Sequence, residues 1–286
     1  MVTSSSPHEP GTLYIVSTPV GNLGDFSFRA VDVLKSVSLI LAEDTRHTRH
    51  LLERYEIRTR LASHHEHNEA KTVAGLVERL SAGDSMALVS DAGTPLLSDP
   101  GARLVRAALD AGIPVRPVPG ASALLASLVV SGLDTTRFMF FGFLTRSGRE
   151  RQAELDEISA ARHTVVVYEA ANRLPATLAE LEGTGNGSRT AVVAREMTKQ
   201  FEEVRRGTVG ELRTYYQENP ARGEVVLLIS GATPAPVSDD AVKEHVRELR
   251  ASGMSARDAA AATARELGVS KKLAYGFASD DQREGE

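Results

Sequence analysis

The stretch VSDAGTPLLSDPG, residues 89–101, combines residue types that could carry chemistry. An apolar run ends at Asp91, and glycine, proline and a second acid, Asp99, follow with no basic residue inside the stretch to pair either carboxylate. Small residues let the backbone of a loop come close to a ligand, and a carboxylate adds negative potential. The stretch therefore predicts a ligand-binding loop, in which Asp99 caps a helix that starts near Gly101.

A second cluster, AEDTRHTRHLLERY, places acids before a run of basic and titratable groups. Asp44 or Thr45 can cap a helix, and the residues that follow are Arg46, His47, Arg49 and His50. Such a run is either the solvated face of a capped helix or a contact surface for a phosphate backbone, and the sequence leaves both open.

Two other polar segments have weaker chemical meaning. Gly21 and Gly24 in STPVGNLGD match neither the dinucleotide-binding nor the P-loop spacing, so a plain turn explains them equally well. His65 and His67 in SHHEHNE alternate, but no third or fourth ligand accompanies them. A polar loop or a cleft-lining segment is favoured there, and no metal is expected.

Strand-like and helical patterns alternate from Thr12 onward, which predicts an α/β fold with a parallel sheet. Four β-rich runs, TLYIVS, VSLILA, MALVS and IPVRPV, are separated by helical patterns at residues 30–35, 48–55, 71–82 and 102–111. After an apolar helix capped by Ser122, the runs RFMFFGFL, HTVVVYE, TAVVARE and GEVVLLISG have fewer crossover helices between them, so a mixed sheet is expected. The carboxyl ends of these strands are where ligands collect in open α/β sheets.

Past a linker at residues 231–236, helical patterns at 239–252, 255–268 and 270–278 predict a small helical unit of helix-turn-helix type. Lys271 and Lys272 stand at the first turn of its last helix, where they could reach a phosphate. A hairpin that covers an apolar patch is the alternative.

The amino-acid composition limits the class of protein and the chemistry that it can carry out. The chain has 286 residues, 42% hydrophobic and 25% charged, with no cysteine and a formal net charge of −5. Cysteine chemistry is excluded, and the net charge argues against binding nucleic acid by bulk electrostatics while leaving room for a local basic face. The absence of a membrane-length apolar run and of a signal-peptide pattern predicts a cytoplasmic protein with no membrane contact, whose residues 1–10 form a disordered leader.

Six motifs, taken in order, resemble the ribosomal RNA small subunit methyltransferase I family of the tetrapyrrole-methylase fold. They are LYIVSTPVGNLGDFSFRAVDVLKSV, LILAEDTRHTRHLL, ALVSDAGTPLLSDPG, VPGASA, GFL-x-R and AREMTK, and the resemblance covers residues 11–231. It implies two α/β domains, residues 11–134 and 135–231, with a cofactor cleft between them, plus a small C-terminal helical domain at 237–286. It further implies a homodimer that uses S-adenosylmethionine to methylate the ribose 2′-hydroxyl of a cytidine in the decoding region of small-subunit (16S) ribosomal RNA.

The resemblance also carries site residues onto this chain. Those implied at the cofactor are Pro19, Asp91, Ala92, Gly93, Thr94, Pro95, Ser122, Ala123, Phe141, Gly142, Phe143, Ala194, Val225 and Val226. Those implied to face the RNA are Arg46, His47, Arg49, Arg146 and Arg173. Two positions depart from the family pattern: Thr145 replaces a proline, which predicts a more flexible loop, and Asn172 replaces a histidine that could carry a proton.

Methyl transfer to a hydroxyl benefits from a general base. Carboxylates at strand ends are the candidates, and the sequence does not rank them: Asp44, Asp91, Glu169 and Glu196. A tetrapyrrole (precorrin-like) methyltransferase on the same fold and a non-enzymatic, nucleotide-sensing DNA-binding regulator are the two alternatives, and the basic loops and C-terminal helices argue against the first.

Overall fold

The computed structural model describes residues 9–232 and 238–280. The chain divides into two compact units, Met1–Ala232 and Thr233–Glu286. Most of the predicted leader and of the predicted linker lies outside the described residues. Within the described ranges, no helix is both long and apolar enough to cross a membrane.

The first unit begins with a five-stranded parallel sheet in the order β3-β2-β4-β1-β5, as the alternating pattern predicts. Its strands are β1 (Leu13–Val16), β2 (Leu39–Ala42), β3 (Leu61–Ser63), β4 (Met86–Val89) and β5 (Val115–Val118). The helices between them are α1 (Phe28–Ser36), α2 (Thr45–Arg54), α3 (Glu66–Ser81) and α4 (Ala102–Asp110). Strands β2 and β4 are buried along their whole length because helices cover both faces of the sheet.

The second sheet of this unit is mixed, which confirms the expectation from the sequence. Its order is β6-β7-β10-β8-β9, with β6 and β7 parallel and the other pairs antiparallel. The elements are α5 (Ala123–Ser131), β6 (Phe138–Phe143), α6 (Arg149–Ala160), β7 (Thr164–Ala170), α7 (Leu174–Leu181), a π-type turn (Glu182–Asn186), β8 (Thr190–Arg195), β9 (Glu203–Thr208), α8 (Val209–Glu218) and β10 (Glu224–Ile229). Helix α5 packs on one face of the sheet, and α6, α7 and α8 pack on the other.

The second unit has three helices among its described residues, close to the predicted bounds. They are α9 (Asp239–Ala251), α10 (Ala256–Leu267) and α11 (Lys271–Asp280). Valines of α9 and alanines of α10 and α11 form a small core. Gly268, with φ of 67°, ends α10 in the left-handed conformation that glycine tolerates best.

Two strands and one helix start differ from the sequence predictions. The SHHEHNE segment is not a polar loop, because β3 ends at Ser63 and α3 already begins at Glu66. Both unpredicted strands, β3 and β9, lie at sheet edges, and β9 carries the charged sequence EVRRGT. An edge strand buries little of its surface, so its sequence lacks the apolar run on which the prediction depends.

Candidate active site

The carboxyl ends of β1, β2 and β4 lie side by side, and the loops that follow them are fastened together. Thr18 and Gly93 form an antiparallel bridge through two backbone hydrogen bonds of 2.8 and 3.0 Å. The Thr18 hydroxyl also donates to the Ser90 carbonyl at 3.1 Å. On the other side, the Asp44 amide donates to Asp91 Oδ1 at 3.0 Å. The three loops therefore lie together at the carboxyl edge of the first sheet, where its strands end.

The bridge between Thr18 and Gly93 explains why residue 93 is a glycine. Its φ is +80°, and a Cβ atom there would lie 3.2 Å from Val20 Cγ1. Its amide and carbonyl are both engaged by Thr18. The small residue thus lets two loops approach each other, a physical reason different from the close approach to a ligand that the sequence suggested.

Three carboxylates, Glu43, Asp91 and Asp99, influence one another at this edge. Burial, reinforced by the charges of Glu43 and Asp91, raises the pKa of Asp99 to about 7. Burial and then Asp91 raise the pKa of Glu43 as well. Asp44 behaves in the opposite way: its hydrogen bonds with the Arg46 side chain and amide lower its pKa to about 2. Asp99 is therefore a carboxyl group that exchanges its proton near neutral pH.

Asp99 does not cap α4, which corrects the sequence prediction. The N-cap residue of α4 is Gly101, which has no side chain to offer. Glu69, from α3, caps the helix instead, because its Oε1 accepts the amides of Arg103 and Leu104 at 2.9 and 3.4 Å. The carboxylate of Asp99 is thus not needed by the helix that follows it.

The second sheet contributes aromatic side chains beside Asp99. The Tyr168 hydroxyl accepts the amide of Leu124 at 3.2 Å, and its ring lies 4.9 and 5.6 Å from the rings of Phe140 and Phe143. Burial is the largest cause that raises the pKa of Tyr168, and the charge of Asp99 adds to it. Close approach of the two sheets also explains Gly142, where a Cβ atom would lie 2.6 Å from Ser98 Oγ.

The turn before α5 joins the same region. Thr94 Oγ1 lies 3.1 Å from Ser17 Oγ and also donates to the Ala121 carbonyl at 3.1 Å. Ser122 caps α5 as predicted, with its side chain accepting the Leu125 amide. Thr94 thereby connects the loop after β4 to the turn that contains Ser122 and Ala123.

The remaining predicted cofactor residues fall on two opposite faces of the second sheet. Ala194 and Val226 are paired across β8 and β10 and face the layer beneath α5. Val225 and Phe141 face the other layer, beneath α6, α7 and α8. The structure therefore brings Ala194 and Val226 together with Phe140 and Tyr168, and it directs the side chains of Val225 and Phe141 away from them.

Two of the four base candidates are held in internal contacts. Glu169 is only 1% exposed; its oxygens accept from Thr177 Oγ1 and the Ala170 amide, and it forms an ion pair with Arg173. Burial opposes ionisation of Glu196, but hydrogen bonds from Lys199 and the Glu224 amide outweigh it and lower its pKa. Both groups are therefore engaged at the ends of their strands, by Arg173 and Thr177 for Glu169 and by Lys199 for Glu196.

The predicted RNA-facing residues divide into exposed and engaged groups. Arg46 is 87% exposed although it pairs with Asp44, and the other exposed members of the set are His47, Arg49, Arg146, Lys271 and Lys272. Arg173 is instead 26% exposed, because it pairs with Glu169 and donates to the carbonyls of Leu144 and Thr145. Its guanidinium holds a loop of the protein.

Thr145 fixes this loop, contrary to the flexibility expected from the loss of proline. Its amide and hydroxyl donate to the two carboxylate oxygens of Glu154, at 2.9 and 3.0 Å. Arg151, almost fully buried, donates to the Thr145 carbonyl at 2.9 Å. The substituted position is therefore one of the best-tethered points of the loop.

Sequence reasoning did not select Glu43, Asp99 or Tyr168 as site residues. The second aspartate of the 89–101 stretch was visible, but the coupling of its charge to Glu43 and Asp91 depends on the fold. Tyr168 has only its position near the end of the VVVYEA strand as a signal.

Comparison with known proteins gives the family. A profile described as Tetrapyrrole (Corrin/Porphyrin) Methylases matches residues 12–213. A curated protein of Synechocystis sp. named ribosomal RNA small subunit methyltransferase I is 43% identical over 96% of this chain and 100% of its own length. Proteins of the same name from Xylella fastidiosa and Escherichia coli O157:H7 are 45% and 40% identical, over 93% and 97% of this chain and 98% of their own lengths. The chain belongs to the ribosomal RNA small subunit methyltransferase I family.

Solved structures confirm the tetrapyrrole-methylase fold. The uroporphyrin-III C-methyltransferase of Thermus thermophilus, complexed with S-adenyl homocysteine, superposes with a TM-score of 0.56 at 18% identity and covers 77% of this chain and 97% of its own. A diphthine synthase superposes with a TM-score of 0.58 at 15% identity, over 78% of this chain and 90% of its own. At these identities the likeness concerns the fold alone. Family membership therefore does not favour the tetrapyrrole methylase or the DNA-binding regulator weighed from the sequence.

Proposed function

We propose that this protein transfers a methyl group from S-adenosylmethionine to the ribose 2′-hydroxyl of a cytidine in the decoding region of small-subunit ribosomal RNA. The observation that carries the proposal is the 40% to 45% identity, over nearly the full length, to proteins named for methylation of that RNA. The small ribosomal subunit is accordingly the partner, and the cytoplasm the place of action.

The residues at the junction of the two sheets fit the proposed cofactor. S-adenosylmethionine supplies a methyl group activated by a positively charged sulfonium. Gly93 and Gly142, each with positive φ, let the loop after β4 approach the loop after β1 and the end of β6, and this close approach shapes the junction. The hydroxyls of Ser17 and Thr94 offer polar contacts, and Asp91 with Asp99 offers negative potential opposite a cation. We infer a cofactor cleft at this junction.

Asp99 is the group best suited to accept the hydroxyl proton. S-adenosylmethionine would supply the methyl group to the ribose oxygen, and the Asp99 carboxylate would accept the proton that the hydroxyl loses. A base works best when its pKa lies near the operating pH, and the pKa of Asp99 is about 7. Asp44, with a pKa of about 2, holds its helix start and is a much weaker base. Asp91 positions the Asp44 amide and adds to the local negative charge.

The exposed face of α2 is the proposed contact with the RNA backbone. Arg46 and Arg49 project from its first turns, beside the edge formed by the three loops. Because the whole chain has a net charge of −5, attraction to RNA depends on such local basic groups. Arg146 and the lysines at the start of α11 extend the set.

The direct experiment measures methyl incorporation from labelled S-adenosylmethionine into purified small ribosomal subunits. We expect one methyl group per subunit, at a ribose whose phosphodiester then resists alkaline hydrolysis. Calorimetric titration with S-adenosylmethionine tests the cofactor separately. Incorporation into a tetrapyrrole and not into subunits would contradict the proposal.

A homodimer is part of the proposal and rests on an apolar strip of α5. Val129 is 72% exposed, and Leu125 and Val130 are exposed beside it on the same helix. An exposed apolar strip on a helix indicates a surface that another chain covers, and a second copy does so with closed symmetry.

The dimer is tested by replacing Val129 with glutamate, which should shift the protein from dimer to monomer in light scattering because a charge would be buried at the interface. Leu109→Glu, at an exposed position of α4, is the matched control and should leave the dimer intact. A monomeric wild-type protein would contradict the assignment.

A further inference from the structure

A small pocket opens at the carboxyl edge of the first sheet, between the loop after β1 and helix α2. Its volume is about 140 Å³, and the residues that matter here are Thr18, Pro19, Leu23, Thr48, Leu51 and Asp91. Sites that enclose a whole drug-sized ligand measure roughly 300–1,000 Å³. This α2 pocket is therefore too small for S-adenosylmethionine, and its size suits a single nucleobase.

The walls of the α2 pocket combine apolar surface with an unused polar group. Pro19, Leu23 and Leu51 supply flat apolar contacts of the kind that a base ring requires. Thr48 is 2% exposed, and its Oγ1 has no hydrogen-bond partner among the described residues. A buried hydroxyl without a partner costs free energy, so a ligand that pairs with it gains affinity.

Asp91 gives the pocket its chemical preference. One of its oxygens, Oδ1, accepts the Asp44 amide, and the carboxylate also forms part of the pocket wall. A carboxylate accepts hydrogen bonds from an exocyclic amino group, which cytosine has and uracil lacks.

Resting on the proposed function, we propose that the α2 pocket receives the base of the target cytidine after it has left its stack. Enzymes that modify a nucleotide hold the unstacked base in a fitted pocket by contacts to its ring faces and edges. Asp91 lines the pocket and also belongs to the cluster of carboxylates that includes Asp99. A base bound in the pocket therefore brings its ribose toward the proposed proton acceptor. His47 and His50 lie at the pocket rim on α2, beside Arg46 and Arg49.

The first test fills the pocket from its exposed side. Leu23 is an exposed wall residue in a short 3-10 turn (Leu23–Asp25), so Leu23→Trp blocks the pocket without changing the core. We expect at least a 10-fold rise in the KM for small subunits with an unchanged Kd for S-adenosylmethionine. Leu109→Trp, exposed on α4, is the control and should match the wild type. Unchanged subunit kinetics in Leu23→Trp, or a weakened cofactor Kd, would overturn the assignment.

The second test removes the unpartnered hydroxyl alone. Thr48→Val keeps the shape of the side chain, so the variant should fold, and loss of one hydrogen bond should raise the subunit KM about 3- to 10-fold. Tyr216→Phe removes a hydroxyl that is likewise buried without a described partner, on α8 of the first unit, and should leave the KM unchanged. Equal effects of the two substitutions would reduce Thr48 to a structural role and contradict the proposal.

A binding measurement separates the pocket from the methylation reaction. Cytidine at millimolar concentration should raise the Tm of the wild type and not that of Leu23→Trp, and uridine should raise neither. If subunits are not methylated but this pattern holds, the proposed function fails and the pocket stands as a nucleoside site. If methylation proceeds but uridine and cytidine act alike, the function stands and the assignment of the pocket fails.

Discussion

At the scale of single residues, Asp99 illustrates how a site stores an unfavourable charge. Its carboxylate is partly buried beside Glu43 and Asp91. Burial and these two charges raise its pKa to about 7, and no cation is among the causes. A folded-state pKa above the value of 3.8 for a free aspartate means that ionisation opposes folding. The site therefore gains a proton acceptor near neutral pH at some cost in stability.

Replacing Asp99 with asparagine should lower kcat by about 10²- to 10⁴-fold while leaving the Kd for S-adenosylmethionine nearly unchanged. Wild-type activity should rise with pH through about 7, because only the ionised carboxylate accepts a proton. This rise should be absent from the residual activity of the variant. Asp110→Asn, on the exposed end of α4, is the control for both measurements.

The same substitution should also affect stability, with a sign that follows from the raised pKa. Between pH 4 and pH 7 the folded state binds more protons at Asp99 than the unfolded state, so the wild type loses stability as pH rises through this range. Asp99→Asn should remove that loss, and its Tm should exceed that of the wild type at pH 8. A lower Tm at pH 8 would mean that the carboxylate stabilises the fold.

At the scale of elements, α3 and α4 are joined by a polar contact that replaces a helix cap. Glu69 accepts two amides at the start of α4, and buried His64 lies beside it, with Nε2 3.8 Å from Glu69 Oε1. Because α4 follows directly on the loop that contains Asp99, this contact fixes one end of the proposed site.

Glu69→Ala should reduce the free energy of unfolding by about 1–3 kcal/mol, since the two amides would lose a buried charged acceptor. Glu66→Ala, at an exposed position in the same turn of α3, is the control. Chemical denaturation of both variants gives the comparison. Equal destabilisation by the two would show that the start of α4 does not depend on Glu69.

His64 should make the stability of this contact pH-dependent. Burial lowers the pKa of His64 below its usual 6.5, so the unfolded state takes up a proton more readily than the folded state as the pH falls. The contribution of neutral His64 to stability should therefore be fully present above pH 6.5 and be lost as the pH falls below it. His64→Gln should flatten the decline, and His67→Gln, at an exposed position, should leave it unchanged.

Helix α2 is the element on which RNA binding is proposed to depend. Replacing both Arg46 and Arg49 with glutamine should weaken subunit binding and lower the slope of log K against log salt by about 1.4, or roughly 0.7 for each phosphate contact with single-stranded RNA. The Kd for S-adenosylmethionine should stay the same. The double substitution of Arg103 and Arg116, which are also exposed in the first unit, is the charge-matched control. An unchanged slope would mean that Arg46 and Arg49 belong to a solvated helix face and do not contact RNA phosphates.

The elements were more predictable than their contacts. Apolar runs located β1, β2 and β4, since a strand buried between two layers of helices is apolar along its length. The charged edge strand β9 had no such signal. At the site, the spacing of Asp91 and Asp99 identified the loop, but Asp99 was misassigned as the cap of α4 and Glu69 was not selected, because a cap from another helix and a charge coupling across loops are tertiary effects.

At the scale of the whole molecule, the chain consists of a body and a smaller helical unit whose role in subunit docking is a prediction. Truncation after Ala232 retains the hydrogen bond from its amide to the Ala161 carbonyl and leaves both sheets complete. The truncated body should bind S-adenosylmethionine normally and keep its Tm, while its KM for small subunits rises. Loss of folding or of cofactor binding would assign the second unit a structural role.

The strand order of the second sheet has a consequence for biosynthesis. Strand β10 is the last of the described strands along the chain but lies in the middle of its sheet, between β7 and β8. On a ribosome, where about 5–20 residues are added each second, β7 and β8 emerge well before the strand that joins them. Val226, which pairs with Ala194 at the proposed cofactor wall, arrives with β10. A nascent chain should therefore have no affinity for S-adenosylmethionine until Ile229 has been made, so an enzyme that acts on ribosomal RNA would become competent only as its own translation nears the end of the body.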